Sequence, residues 1–201
     1  MRIILIFLLF MFQSVDSFSQ IRLTNEELKE IEERTLIKVE EFQQYLSDIV
    51  NTNFSEHQRK ASVESALALF IGKGEAYSIT NEYSQRVNQK PVKVYLKDSV
   101  NNIRVMTIKG FLSKLYNIPH QYGKMKLQSV DIPQIISLYE NNGAYQAEVQ
   151  LCNKIILKND SITDLVTTNK RFFIPVSTTE LPNGGIVYGT GLGDIHIFVS
   201  K

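Results

Sequence analysis

Hydrophobic spacing changes character at Pro91, and that change limits the folds open to this chain. Upstream, Leu28, Ile31, Val39, Phe42, Leu46 and Ile49 recur every three or four positions, with Thr35 filling the remaining slot of the series. Such a series is one face of a helix. Downstream, Val92, Val94 and Leu96 alternate with Lys93, Tyr95 and Lys97, the period of two that marks a strand with one face buried. Helices gathered ahead of strands, rather than alternating with them, imply an α+β domain with its helices packed on one face of an antiparallel sheet.

Local signals give the element order. Thr24 and Glu27, and again Ser55 and Gln58, have the spacing of a capping box, in which side-chain oxygens satisfy the amides left unpaired at a helix start. The first helix is long; the second carries Val63, Ala66, Leu67 and Phe70 and stops at Gly72 and Gly74. Residues 72–90 are polar, with Tyr77 and Tyr83 as the large rings, and read as a connection that covers something. A hairpin follows, turning at Asp98 to Asn102 and returning through Ile103 and Val105. Thr107 caps a short third helix with Ile108, Phe111, Leu112 and Leu115 on one face. Strands are then expected over Met125 to Ile132, whose apolar phase shifts midway as at a bulge, and over Tyr145 to Leu157. Arg171 to Thr178 and Ile186 to Gly189 flank a Pro182-Asn183-Gly184 turn, and Ile195 to Ser200 closes the chain. The expected architecture is two N-terminal helices plus a short third packed on a curved, mostly antiparallel sheet of about six strands.

The N-terminus is read as an export signal over residues 1–19. Met1 and Arg2 precede an apolar run from Ile3 to Phe12, and Ser17 and Ser19 supply the small residues a signal peptidase selects, so Gln20 is the expected mature terminus. Ten apolar residues fall well short of the roughly 20 that span hydrocarbon. The sole cysteine, Cys152, cannot close an internal disulfide, so stability has to come from packing. Residues 20–201 are expected to form a single periplasmic or secreted domain without a membrane span.

The element order, together with Ala68-Leu69-Phe70-Ile71-Gly72-Lys73-Gly74 after the second helix and Phe111-Leu112-Ser113-Lys114-Leu115 in the third, resembles exported bacterial members of the nuclear transport factor 2-like superfamily, which has a cone-shaped cystatin-like fold. The resemblance spans about residues 24–200. It implies the fold and a pocket between helices and sheet. The superfamily holds isomerases, dehydratases and epoxide hydrolases as well as members that only bind, and no enzyme motif of those groups aligns here.

Three residues are catalytic candidates. Asp194 and His196 stand two apart on an expected strand, so both side chains point to one face and can serve as an acid/base pair. Glu148 lies with Gln146, Gln150 and Cys152 opposite the apolar set of its strand and becomes a general base only if that face is enclosed; a solvated face is the competing reading. Cys152 needs a base beside it to act as a nucleophile. No metal site is expected, since His57 and His120 lie in other elements without ligand spacing. No cofactor is expected either: Gly189-Thr190-Gly191-Leu192-Gly193-Asp194 is followed by a strand, not by the helix a dinucleotide requires, and Gly72-Lys73-Gly74 lacks the P-loop spacing.

Charge is unevenly distributed in a chain of net +1. Arg86 to Lys126 holds nine basic residues against the single acid Asp98, whereas residues 20–50 hold four basic against eight acidic. Asymmetry of this kind bears on partners rather than on fold. Lys93, Tyr95, Lys97 and Arg104 are therefore the expected binding residues, with an anionic protein, glycan or lipid surface as partner, or the acidic first helix of a second copy in a homodimer. Export argues against nucleic acid. The expected function is an exported, non-catalytic binding module; the alternative is an isomerase or hydratase acting on a small molecule in a polar pocket of the cone.

Overall fold

The computed structural model describes residues 23–80, 85–122, 124–129, 131–141, 144–159, 162–180 and 186–200. The expected signal sequence, Tyr83 and the Pro182-Asn183-Gly184 turn lie outside them. Helix α1, Asn25–Val50, starts at the reciprocal cap: the Glu27 amide donates to Thr24 Oγ1 at 3.3 Å and the Thr24 amide to Glu27 Oε2 at 2.8 Å. Its buried stripe contains Ile31, Thr35, Val39, Phe42, Leu46 and Ile49, the series read from spacing. Ser55 and Gln58 cap α2, Glu56–Ala68, in the same way. The chain then tightens into a 3-10 turn, Ile71–Gly74, with Gly72 at φ 67°.

Strands β1, Tyr77–Thr80, and β2, Arg86–Gln89, form an antiparallel ribbon separate from the main sheet. The segment expected to be a connection is thus partly strand; its polar side chains carry no alternation by which it could have been recognised. The hairpin is β3, Lys93–Lys97, and β4, Ile103–Thr107. Helix α3, Ile108–Tyr122, follows directly, its Gly110 amide donating to Thr107 Oγ1 at 3.2 Å. Then come β5, Lys124–Ser129; β6, Gln134–Asn141; β7, Ala144–Asn159; β8, Ile162–Glu180; β9, Ile186–Thr190; and β10, Ile195–Ser200.

Among the described residues eight strands make one open sheet in the order β4-β3-β10-β8-β7-β5, with β6 also on β7 and β9 also on β8. Every pairing is antiparallel except β3 with β10. The chain is therefore α+β, with a mixed, mostly antiparallel sheet that carries more strands than expected. Strand β5 ends at Ser129 rather than continuing to Ile132, whose side chain is 75% exposed. The register irregularity falls instead on β6, between Ile135 and Ser137 opposite β7. Strand β8 starts nine residues earlier than expected, at Ile162 rather than Arg171, because Thr163, Asp164, Thr167, Thr168 and Asn169 disguise its first half.

All three helices contribute to one core against one face of the sheet. Phe42 meets Phe70 edge-on at 5.1 Å and Phe172 at 5.9 Å between ring centroids. Val92, Val94, Ala147, Val149, Leu151, Ile174 and Ile195 fill the space around them, each large side chain contributing roughly 1.5–3 kcal/mol by leaving water. Arg59 binds the helices together: its Nε donates to the Ile49 carbonyl at 2.7 Å, its guanidinium donates to the Tyr116 carbonyl, and it lies 4.6 Å over the Tyr116 ring. The Ile49 carbonyl belongs to the last turn of α1, where helix geometry supplies no partner. Lys170 is buried on the helix side of β8, its Nζ donating to Gln43 Oε1 at 3.0 Å. Burial pushes its pKa down to about 7.

Candidate functional site

The face of the sheet turned away from the helices is built by alternation. Because Val92 and Val94 enter the core, Lys93, Tyr95 and Lys97 stand on the other side. Strand register then sets their neighbours: His196 of β10 pairs with Tyr95 and Phe198 with Lys97, while His196 also pairs with Arg171 of β8. On β7, Gln150 pairs with Arg171 and Glu148 with Phe173. The result is a continuous patch of rings and cations. The His196 ring centroid is 4.5 Å from Tyr95 and 5.0 Å from Phe173, and the Arg171 guanidinium lies 5.9 Å over Phe198.

Arg104 does not join this patch. It pairs with Leu96, so it shares the helix-side face, and the residues that stand with Tyr95 and Lys97 are Val105 and Ile103. Ile103 and Val105 are 61% and 52% exposed, so the hairpin presents lysine, tyrosine and aliphatic side chains together rather than a purely basic surface. The turn length decides this outcome: Lys97 faces Ile103 across the Asp98 to Asn102 turn, which puts the even-numbered residues of both strands on one side. In that turn the Asn102 amide, donating to Asp98 at 2.9 Å, holds the Asp98 carboxyl below its ordinary pKa.

One end of the face deepens into a cleft of about 620 Å³ between the β1–β2 ribbon, the middle of β8 and the start of β10, with Tyr77, Lys93, Gln146, Phe173, Asp194 and His196 among its walls. Asp194 and His196, two apart in sequence, do open onto the same space. The Asp194 carboxylate is fixed by accepting the Lys93 amide at 2.8 Å. Its backbone is fixed too, since its carbonyl accepts the Phe173 amide at 3.0 Å and the Gly193 amide donates to the Phe173 carbonyl at 2.9 Å. A Cβ on Gly193 would lie 2.4 Å from that carbonyl oxygen, so only glycine permits the approach. Leu192 carries the loop across to the end of α2, donating to the Leu69 carbonyl at 2.9 Å and accepting the Ile71 amide at 3.0 Å. The glycine-rich segment is thus a joint, and β10 follows it.

Tyr77 was legible only as a large ring in a polar segment. The ribbon brings it to the cleft, and Gly72 makes room: a Cβ there would approach Tyr77 Cδ1 to 2.8 Å. Burial, and secondarily the Asp194 carboxylate, raises the Tyr77 pKa, so the phenol stays protonated.

Glu148 lies on the same face but outside the cleft walls, 3.3 Å from Arg171, with its side chain 16% exposed. Cys152 is a half-buried free thiol farther along β7. His57 sits at the start of α2, and His120 is on α3, where its side chain lies outside the described residues. Among the described residues no three His, Cys, Asp or Glu side chains gather as metal ligands, and no helix is long and apolar enough to cross a membrane. Between the helices and the sheet, where the resemblance places a pocket, the described residues pack an apolar core, and a cavity of about 440 Å³ opens between α1 and the segment leading into β6, next to Gln43.

No family model matches the chain, and no curated protein matches it.

Proposed function

We propose that this chain is an exported, non-catalytic binding module that takes an anionic glycan on the helix-free face of its sheet. One observation carries the reading: the rings of Tyr95, His196 and Phe173 form a contiguous row with Lys93, Lys97 and Arg171 around them. Flat rings complement the C–H faces of sugar rings, and the cations complement carboxylate or sulfate groups spaced along a polymer. A protein surface or a lipid headgroup region shares the negative charge but offers no such series of flat faces. The open face of rings and cations supports a binding role over the isomerase or hydratase alternative, which calls for an enclosed polar cavity. Membership of the nuclear transport factor 2-like superfamily belongs to the same proposal, supported by the order of elements and by the packing of all three helices on one face.

The test is calorimetric titration with polygalacturonate and with neutral dextran at two salt concentrations. Wild type is expected to bind the polyanion and not dextran, more weakly as salt rises, because exposed charges are screened over a Debye length of about 8 Å at physiological salt. Lys93→Glu combined with Lys97→Glu is expected to lose about tenfold or more in affinity. Equal affinity of the double variant, or binding to anionic vesicles or to a second copy of the chain with none to the glycan, overturns the reading.

A further inference from the structure

Resting on that reading, we infer that the cleft under the β1–β2 ribbon is a subsite for one acidic sugar unit at the end of the glycan, held by Tyr77, Asp194 and Lys93. Its volume of about 620 Å³ lies within the roughly 300–1,000 Å³ of small-molecule sites. Its walls carry groups of three kinds. Tyr77 is a phenol kept protonated beside the Asp194 carboxylate, so donor and acceptor stand together, the pairing that vicinal sugar hydroxyls satisfy. Lys90, just past the end of β2, and Lys93 of β3 supply positive charge. Phe173 gives an apolar surface for the ring.

The carboxylate of Asp194 repels a second carboxylate, and that repulsion orients the ligand. The hydroxyl edge turns to Asp194 and Tyr77 while the anionic substituent turns to the lysines. A neutral hexose lacks the second contact, and a simple anion such as acetate lacks the first. The site therefore selects a polyhydroxylated ring that carries one negative group. Asp194 can discriminate in this way because it does not swing: its carboxylate, carbonyl and preceding glycine are all tied to β3 or β8. The separation from the rest of the face is built in as well, since Lys97 pairs with Phe198 outside the cleft walls.

The experiment titrates digalacturonic acid, galactobiose and polygalacturonate into wild type, Asp194→Asn, Tyr77→Phe and Lys60→Glu, followed by protein amide shifts and calorimetry. Asp194→Asn keeps an oxygen to accept the Lys93 amide, and equal melting temperatures confirm that each variant is folded. Digalacturonic acid is expected to shift amides around Tyr77, Lys93 and Asp194, to lose about tenfold in affinity with Asp194→Asn or Tyr77→Phe, and to be indifferent to Lys60→Glu, an exposed lysine of α2. Galactobiose is expected to bind at least about tenfold more weakly than its acidic counterpart. If polygalacturonate binds but the disaccharide does not, or if Asp194→Asn and Tyr77→Phe leave disaccharide affinity unchanged, the end subsite is refuted while the open face stands. If neither polymer nor disaccharide binds, both fail together.

Discussion

Lys170 faces the helices from the middle of β8, among Gln43 of α1, Leu151 of β7 and Ile197 of β10. Its pKa of about 7 lies below the ordinary 10.5 because desolvation disfavours the ammonium. Between those values the unfolded chain binds a proton that the folded chain has released, so stability from this group rises as pH rises through that window. Below about pH 7 both states are protonated and the folded state carries the full cost of a buried charge. Lys170→Met is expected to flatten that dependence and to stabilise the protein at pH 7 and below by on the order of 1–4 kcal/mol, measured by urea unfolding across pH 6 to about pH 10. A variant that is less stable at pH 6, with the slope retained, contradicts the assignment. Sequence alone did not single out this lysine, since it sits among threonines and an asparagine that hide the inward-facing positions. Asp194 and His196 were legible, because two-residue spacing on a strand places two side chains on one face whatever the rest of the fold. Tyr77 was not, because its role depends on where a short ribbon folds back.

Elements whose signals are local appeared where the sequence put them. The capping boxes at Thr24 and Ser55 are made within four residues, and Thr107 starts α3 as expected. Elements that depend on partners were harder to read. Strand β6 has consecutive Ile135 and Ile136, one inclined to the core and one 48% exposed, and its register irregularity erases the alternation that would have revealed it. The face occupied by Arg104 was likewise a question of register, which turn geometry decides. Arg59 is a long-range tie of the same kind, joining the end of α1 to α3 from inside α2. Arg59→Leu leaves the buried Ile49 carbonyl without its donor and is expected to cost about 1–3 kcal/mol, read as a lower urea midpoint with an unchanged slope. An unchanged midpoint shows that the tie adds nothing.

At the scale of the molecule, segregated charge and one-sided packing act together. The helices take the apolar face of the sheet, which leaves the opposite face to carry rings and cations. The excess of basic residues over Arg86 to Lys126 was plain in the sequence, and it gives a positive field that can steer an anionic chain toward the hairpin. What the sequence did not reveal is that the lysines stand beside aromatic rings contributed by β8 and β10, since the parallel pairing of β3 with β10 joins segments about a hundred residues apart. Glycan binding on the helix-free face is tested most directly by a map of backbone amide shifts during titration of the folded protein with polygalacturonate at low salt. Shifts are expected to concentrate on β3, β10 and the Arg171 to Phe173 stretch of β8 and to fade as salt is raised, with α1 and α2 silent. Shifts centred on the helices, or none at any concentration, would contradict glycan binding on that face.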